Sequence, residues 1–191
     1  MRLNNLMLVG VVTFVLSFCH VSYAADEMVD NPQYAGWSKF KPGTSVKYSQ
    51  NTVAMGQTTD GEITMTLVAI TPEKATIETK MAMTMSGKKM DMPPQKLDLP
   101  AKVKKTEAKE TGEPDGSVKA DSKQGTEKIE VGGKTYECKW TEVTSEQNNM
   151  KAIAKTWLSD EVPGKMVKME ATTTGQVNST TKMTLASVET K

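Results

Sequence analysis

Apolar and polar residues alternate along most of the chain after residue 44. The segments Glu62–Ile70 and Ala75–Met85 show this alternation most clearly. Up to Leu67 in the first segment and throughout the second, the large apolar side chains lie at odd-numbered positions: Ile63, Met65, Leu67, Ile77, Met81, Met83 and Met85. Because successive side chains of a strand point to opposite sides, the pattern predicts antiparallel strands with one apolar face and one polar face.

Turn residues separate further segments of this kind. Gly132-Gly133 joins Thr126–Val131 to Lys134–Thr144 and predicts a two-residue hairpin, since both positions accept a positive φ. The sequence Val162-Pro163-Gly164-Lys165 suits a type II turn. The other predicted strands are Thr44–Met55, Lys151–Ser159, Gly164–Thr174 and Asn178–Glu189. The chain is therefore predicted to be mainly β, with about eight antiparallel strands in meander order.

A short helix is predicted before the strands. Asn31 followed by Pro32 is typical of an N-cap with proline at the first helical position, and Lys41-Pro42-Gly43 ends the helix. Three aromatic side chains spaced three apart share one side of it: Tyr34, Trp37 and Phe40. We expect the helix to pack on the sheet as a lid, with core packing as the role of this aromatic stripe.

Two segments lack clear alternation. Residues 86–103 contain Pro93, Pro94 and Pro100, which have no amide donor, so this segment is predicted to be an edge strand or an extended loop. Residues 104–125 carry many lysines and acidic residues and no aromatic residue. This composition predicts a polar, charged excursion from the domain.

The chain begins with the pattern of a secretory signal peptide. Arg2 precedes the apolar run Leu6–Phe18, and the small residues Ser22 and Ala24 occupy the −3 and −1 positions of a cleavage site. The apolar run is too short to span a membrane. Residues 1–24 are therefore predicted to be removed on export.

Removal of this segment leaves residues 25–191 as a single antiparallel β domain. We expect it to be exported, periplasmic or secreted, and to have no transmembrane span. Lipidation at Cys19 is disfavoured, because the bulky Phe18 precedes it where bacterial lipoprotein signals carry a small residue.

Composition excludes several classes of function. The only histidine, His20, and the only arginine, Arg2, lie in the predicted signal peptide. A chain without histidine cannot run a Ser-His or Cys-His nucleophile pair, or bind zinc through imidazole. Without Arg2 the basic and acidic residues balance, which disfavours nucleic acid as a partner. We therefore expect a protein that is not an enzyme and that has no catalytic residue and no cofactor.

One cysteine, Cys138, remains after the predicted cleavage, so no intramolecular disulfide can form. Its alternation with Tyr136 and Trp140 predicts a position on an apolar strand face. We expect it to be a buried small apolar side chain rather than a reactive thiol. The domain must then be held together by its core.

Methionine is the unusual enrichment, with 14 residues in all, five of them between positions 81 and 92. Methionines fill irregular cores and also line adaptable apolar pockets. Thioether sulfur also selects Cu(I) and Ag(I), and methionines at i, i+2 and i+4 of a strand point the same way. Plain core, an apolar ligand cavity and a soft-metal site are three interpretations of this cluster.

Several stretches resemble a pattern in small uncharacterised exported β-rich proteins of bacteria. These stretches are Gly132–Trp140, Trp157–Glu170 and the opening Trp37–Thr44. More distantly, the layout is similar to the Lol-type periplasmic lipoprotein-carrier superfamily. That resemblance implies a single strongly curved antiparallel sheet, an open half-barrel covered by helices, with an apolar cavity for acyl chains. The carriers' cavity arginine has no counterpart after residue 24.

These observations lead to one expected function and two alternatives. The expected function is non-enzymatic binding of an apolar or lipid-like ligand on the concave sheet face, through Met65, Met81, Met83 and Met85. The first alternative is a periplasmic Cu(I) or Ag(I) binder that uses Met81, Met83, Met85, Met90 and Met92. The second is an envelope structural or interaction module without a small ligand, whose charged segment 104–125 contacts a protein partner.

Overall fold

The computed structural model describes residues 27–85, 87–105, 119–147 and 149–191. Within these ranges the chain forms one sheet of nine strands, one sheet of two strands and one short helix. In chain order the elements are β1 (Met28–Asp30), α1 (Pro32–Trp37), β2 (Ser45–Ala54), β3 (Gln57–Ile70), β4 (Lys74–Met85), β5 (Lys88–Pro100), β6 (Lys102–Lys104), β7 (Lys119–Val131), β8 (Lys134–Gln147), β9 (Met150–Leu158), β10 (Met166–Thr174) and β11 (Ser179–Glu189).

The large sheet consists of two meanders that meet in its middle. Its strand order is β5-β4-β3-β2-β11-β10-β9-β8-β7, and every neighbouring pair is antiparallel. The mainly β, antiparallel prediction is confirmed. The strand order differs from the predicted meander of about eight strands: nine strands pair in this sheet, and β2 pairs with β11. β1 pairs with β6 in the small sheet.

The large sheet is open, with β5 and β7 as its two edges. It also bends. Some Cα atoms of β7 and β11 approach within 8 Å, although three strands lie between them. In a flat sheet, four strand spacings would hold them about 19 Å apart.

The proline-containing segment is an edge strand, which was one of its two predicted forms. β5 pairs with β4, and the register between them shifts between Thr79 and Met81. Pro93 and Pro94 lie opposite this shift, where the ladder is already irregular and a missing amide donor does least harm.

Residues 119–125, at the end of the predicted excursion 104–125, belong to a strand instead. Lys104 ends β6, and β7 begins at Lys119, so residues 119–125 are paired with β8. Alternation gave no sign of this part of β7, because an exposed, charged edge strand has little apolar surface to alternate. Residues 106–118 and the predicted signal peptide 1–24 lie outside the described residues.

The predicted N-cap is confirmed. The Asn31 side chain accepts a hydrogen bond from the amide of Gln33 at 2.9 Å, and Pro32 is the first helical residue. The helix ends at Trp37, earlier than the Lys41-Pro42-Gly43 stop that was predicted. Within the described ranges, no helix is long and apolar enough to cross a membrane.

α1 covers one end of the large sheet, which we call the packed end. Tyr34 Oη donates to the carbonyl of Thr71, after β3, at 2.8 Å, and the amide of Gly164, before β10, donates to Gly36 at 3.1 Å. Asn31 Nδ2 donates to Pro100, at the end of β5, at 2.8 Å. These bonds connect the helix to turns and strand ends that all lie at the packed end of the sheet.

The hydrophobic core is concentrated at the packed end. Its buried members are Trp37, Val46, Tyr48, Ile63, Leu67, Ala75, Ile77, Leu99, Tyr136, Cys138, Trp157, Val162, Val167 and Leu185. Tyr48 Oη donates to the carbonyl of Met166 at 3.0 Å, and burial raises the pKa of Tyr48. This phenol is therefore satisfied and stays neutral in the core.

Two predicted turns are confirmed. Gly132 and Gly133 have φ values of 58° and 81°, as a two-residue hairpin with the β7–β8 geometry requires. Gly164 has a φ of 73°, and the amide of Lys165 donates to Val162 at 2.7 Å. The Trp37 indole lies directly on Gly164, where an added Cβ would be 3.1 Å from Nε1. Glycine at this position therefore serves both the turn and the packing of the helix.

Candidate functional site

Strand register divides the large sheet into two faces, since directly opposite residues of antiparallel strands share a face. One row across the sheet runs Thr156, Met169, Met183, Gln50, Gly61, Met83 and Met90. The next row towards the packed end runs Leu185, Tyr48, Ile63, Met81 and Met92. We call the face that carries these rows the methionine face.

The methionine face is uncharged over most of its width. In β9, β10, β11, β2, β3 and β4 none of the residues on this face is Asp, Glu or Lys. A quarter of the whole chain is charged, so the two faces differ sharply in composition.

The opposite side, which we call the charged face, holds these ionic groups. One of its rows runs Lys123, Glu142, Lys155, Glu170, Lys182, Asn51, Asp60, Thr84 and Lys89. Lys168 Nζ lies 3.1 Å from Glu170 Oε1, and Asn51 Nδ2 donates to Asp60 at 2.7 Å. Charged side chains on this face therefore interact with one another or with neighbouring amides. On the same six strands, the methionine face carries uncharged side chains.

The two ends of the methionine face differ in exposure. At the packed end it is covered and contributes Val46, Leu67 and Ile77 to the core. Towards the other end, Met83 and Met85 are only half-buried. On the edge strand, Met90 is 42% exposed and Met92 is 44% exposed. An apolar, thioether-lined surface therefore continues beyond the part of the sheet that the core fills.

The structure brings most of the predicted site residues together. Met81, Met83 and Met85 share the methionine face of β4, and Met81 lies directly opposite Met92 while Met83 lies opposite Met90. Directly opposite Cβ atoms are about 4.5–5.5 Å apart, which brings their thioethers within contact. All five methionines of the predicted soft-metal set thus belong to one hairpin.

Met65 lies on the same face but apart from this group. It is on β3, directly opposite Val46 and Thr79, and it packs against the core. Met65 therefore lies where the methionine face meets the core, and it is not part of the methionine cluster of β4 and β5.

Sequence reasoning missed the second methionine pair of the row. Met169 and Met183 are directly opposite each other in β10 and β11. Their alternation indicated apolar positions, and the short connection between their strands could have indicated that they pair. Their place in the same row as Met83 depends on the pairing of β2 with β11, for which the sequence carries no local signal.

Gly61 leaves a gap in the middle of the methionine face. It lies between Gln50 and Met83 in the row and supplies no side chain. The fold does not require glycine there: an added Cβ would be 3.5 Å from Gln50 Cβ and 3.6 Å from the carbonyl oxygen of Ala82, which are ordinary contacts. A glycine inside a strand often marks a place where a ligand or another chain approaches the backbone.

Uncharged polar groups lie beside this gap. Gln50 Nε2 donates to Thr52 Oγ1 at 3.2 Å, and the hydroxyls of Thr52 and Thr181 are 3.2 Å apart. Thr52 is 6% exposed and Thr181 is 8% exposed. We call Gln50, Thr52 and Thr181 the polar trio. It gives the otherwise apolar face a small hydrogen-bonding group without a charge.

A second cluster of buried side chains, which also belongs to the core, lies on the charged face by register, so the expectation of one uniformly polar face is wrong. By register Trp140 and Trp157 share a row with Lys168, yet Trp157 is only 3% exposed. Its indole Nε1 donates to Glu127 at 2.7 Å, and Lys155 Nζ lies 4.6 Å from its ring centroid. The cluster is internally satisfied, so we assign it a packing role.

Cys138 belongs to this second cluster and is buried, as predicted. Burial raises the pKa of its thiol, and the nearby carboxylates of Glu127 and Glu161 raise it further. A thiol with a raised pKa is a poor nucleophile and a poor metal ligand at neutral pH. Among the residues described, no three His, Cys, Asp or Glu side chains are grouped as a metal site.

Comparisons with known proteins give no family. No protein-family model matches the chain, and no curated protein matches it.

Two solved structures are similar at low identity. A protein of Bacteroides fragilis NCTC 9343, described as exported and with a YmcC-like fold, is 9% identical with a TM-score of 0.43, over 78% of this chain and 97% of its own. A protein of Parabacteroides distasonis ATCC 8503, described as a lipoprotein, is 11% identical with a TM-score of 0.41, over 84% of this chain and 100% of its own. At these values the likenesses assign neither family nor function.

Proposed function

We propose that the chain is an exported, non-enzymatic binding protein that holds an apolar or lipid-like ligand on the methionine face. The observation that carries this proposal is the absence of charge on that face across six neighbouring strands, at an end of the sheet that the helix leaves uncovered. Contiguous exposed apolar surface of this kind marks sites where ligands or partners bind.

Methionine suits this role because its flexible thioether adapts to ligands of irregular shape. In the proposed site Met81, Met83 and Met85 contact the ligand from β4, and Met65 closes the side towards the core. Export is inferred from the signal-peptide pattern of residues 1–24.

The test is native mass spectrometry of the mature protein, purified gently from the envelope of its own cells. We expect a co-purifying mass of lipid size in the wild type. The Met83→Lys variant should lose that mass, because an unpaired ammonium on this face cannot be desolvated cheaply. Ala82→Lys adds the same charge one residue away on the charged face and should keep the mass. A bare polypeptide in the wild type would contradict the proposal.

A second candidate function, binding of Cu(I) or Ag(I), is favoured by the cross-strand methionine pairs. Met83 and Met90 are directly opposite, as are Met81 and Met92. Two facing pairs offer four thioether donors in a small area, and soft sulfur ligands select monovalent copper and silver. The exposure of Met90 and Met92 leaves an entry path.

The double variant Met83→Leu/Met90→Leu separates the two candidates. Leucine conserves the volume and apolarity of methionine, so stability should change by less than about 1.5 kcal/mol and apolar binding should persist. If the site binds Cu(I), affinity measured by competition with a colorimetric Cu(I) chelator should collapse. The control Met28→Leu/Met55→Leu removes two exposed methionines outside the cluster. Equal Cu(I) affinity in wild type and both variants would exclude the metal function.

A further inference from the structure

The polar groups of the methionine face restrict the head of any ligand that binds there. We infer that the ligand is a single-chain amphiphile with an uncharged, hydrogen-bonding head, of the chemical class of a monoacylglycerol. This inference rests on the proposed function and adds to it the chemistry of the ligand. In the bound state the chain lies over Gly61 among the methionines, and the head lies at the polar trio.

The gap at Gly61 is one strand wide, because Gly61 lies between one strand on each side. The flanking side chains, Gln50 on β2 and Met83 on β4, are separated by two strand spacings, about 10 Å between backbones. Because the two side chains occupy part of this space, we expect it to admit one hydrocarbon chain, which is about as wide as one strand spacing. Met183, beside Gln50, and Met90, beside Met83, extend the apolar surface on either side.

The polar trio has unused hydrogen-bonding capacity. Gln50 uses one amide hydrogen on Thr52, which leaves its second amide hydrogen and its carbonyl oxygen without a protein partner among the described residues. Either hydroxyl can be the donor of the bond between Thr52 and Thr181, and Thr52 also accepts from Gln50, so the two hydroxyls together keep one hydrogen and two acceptor lone pairs. A head with one or two hydroxyls can both donate to and accept from this group.

On the described strands β9, β10, β11, β2, β3 and β4, no charged side chain lies on the face of the trio, so a charged head would meet no counter-ion from them. Lys88 lies at the rim of the methionine face on β5, in the row that runs from Thr52 through Thr59 and Met85. It is three strand spacings from Thr52, about 14 Å between backbones. The lysines of β9, β10 and β11 belong to the charged face. A carboxylate at the trio would therefore lose hydration without gaining an ion pair.

The test compares ligands that share one sixteen-carbon chain and differ in the head. Displacement of a fluorescent apolar probe from the mature protein should rank monopalmitoylglycerol at least about tenfold tighter than palmitate, measured at pH 8 where palmitate is ionised. Equal or tighter binding of palmitate would overturn the inference and leave the proposed function standing. No binding of either compound, nor of hexadecanol, would contradict both.

The double variant Thr52→Val/Thr181→Val tests where the head lies. Removing both hydroxyls together leaves neither threonine with an orphaned partner. Gln50 loses its Thr52 acceptor, but its side chain is only half-buried and water can replace that bond, so the fold should be little affected. Affinity for monopalmitoylglycerol should fall about tenfold while affinity for hexadecane is unchanged. The control Thr172→Val/Thr180→Val alters a directly opposite threonine pair on the charged face. An unchanged preference for the glycerol ester in Thr52→Val/Thr181→Val would overturn the placement of the head.

Discussion

The Trp37→Ala variant is expected to lose about 3–5 kcal/mol of stability, the range for truncating a buried aromatic side chain. Trp37 is 2% exposed and packs on Gly164, so it joins α1 to the β9–β10 turn. A domain of ordinary stability has about 5–15 kcal/mol in total, so the loss brings it close to unfolding. Urea titration followed by circular dichroism measures it without depending on the deleted fluorophore.

Tyr34→Phe is the matched control for Trp37→Ala. Tyr34 is on the same helix but is only half-buried, and its phenol makes one exposed hydrogen bond to Thr71. Its removal should lower stability by about 1 kcal/mol or less. A loss below about 1 kcal/mol in Trp37→Ala as well would mean that the helix contributes little to the core, contrary to the packing described above.

The features that could be predicted from the sequence are those decided by neighbouring residues. Gly132-Gly133 forms its hairpin because glycine alone accepts two successive positive φ values easily, and Gly164 ends its turn for the same reason. Asn31 caps α1 through a bond to an amide two residues away. The alternation in β3 and β4 predicts their faces, since the core and the solvent impose opposite demands on the two sides.

The features that could not be predicted depend on distant pairings. β2 and β11 are adjacent in the sheet but lie at opposite ends of the described chain, and no turn connects them. Their pairing joins two separate meanders, β2–β5 and β7–β11, into one sheet and so sets its strand order. The charged half of β7 was missed because it gains its partners from β8 rather than from apolar burial.

In the candidate site, too, some features follow from neighbouring residues and others depend on the pairing of distant strands. Parity alone predicts that Met81, Met83 and Met85 share a face. The opposition of Met83 and Met90 also needs the bulge at the β5 prolines, because a one-residue slip would move Met90 to the other face. The gap at Gly61 could not be predicted from the sequence, because the side chains that flank it, Gln50 and Met83, belong to neighbouring strands.

Filling this gap gives the largest expected effect on binding. Gly61→Leu should weaken binding of an apolar ligand by about 10–100-fold, the equivalent of the 1–3 kcal/mol that overfilling a packed space costs. The fold should not suffer, because the new Cβ meets only ordinary contacts and glycine is a weak strand former. Probe displacement should therefore show weaker binding by Gly61→Leu, while urea titration shows a stability close to that of the wild type. Gly61→Ala should bind with an affinity between those of the wild type and Gly61→Leu.

Ala82→Leu is the control, because it adds similar bulk beside Met83 but on the charged face, opposite Glu62. It should leave binding within about twofold of the wild type, since a surface change outside a packed contact usually alters little. Equal loss of binding in Gly61→Leu and Ala82→Leu would indicate a general disturbance of β3 and β4. Full binding in Gly61→Leu would place the ligand away from the gap, because a leucine side chain and an acyl chain cannot occupy the same space over Gly61.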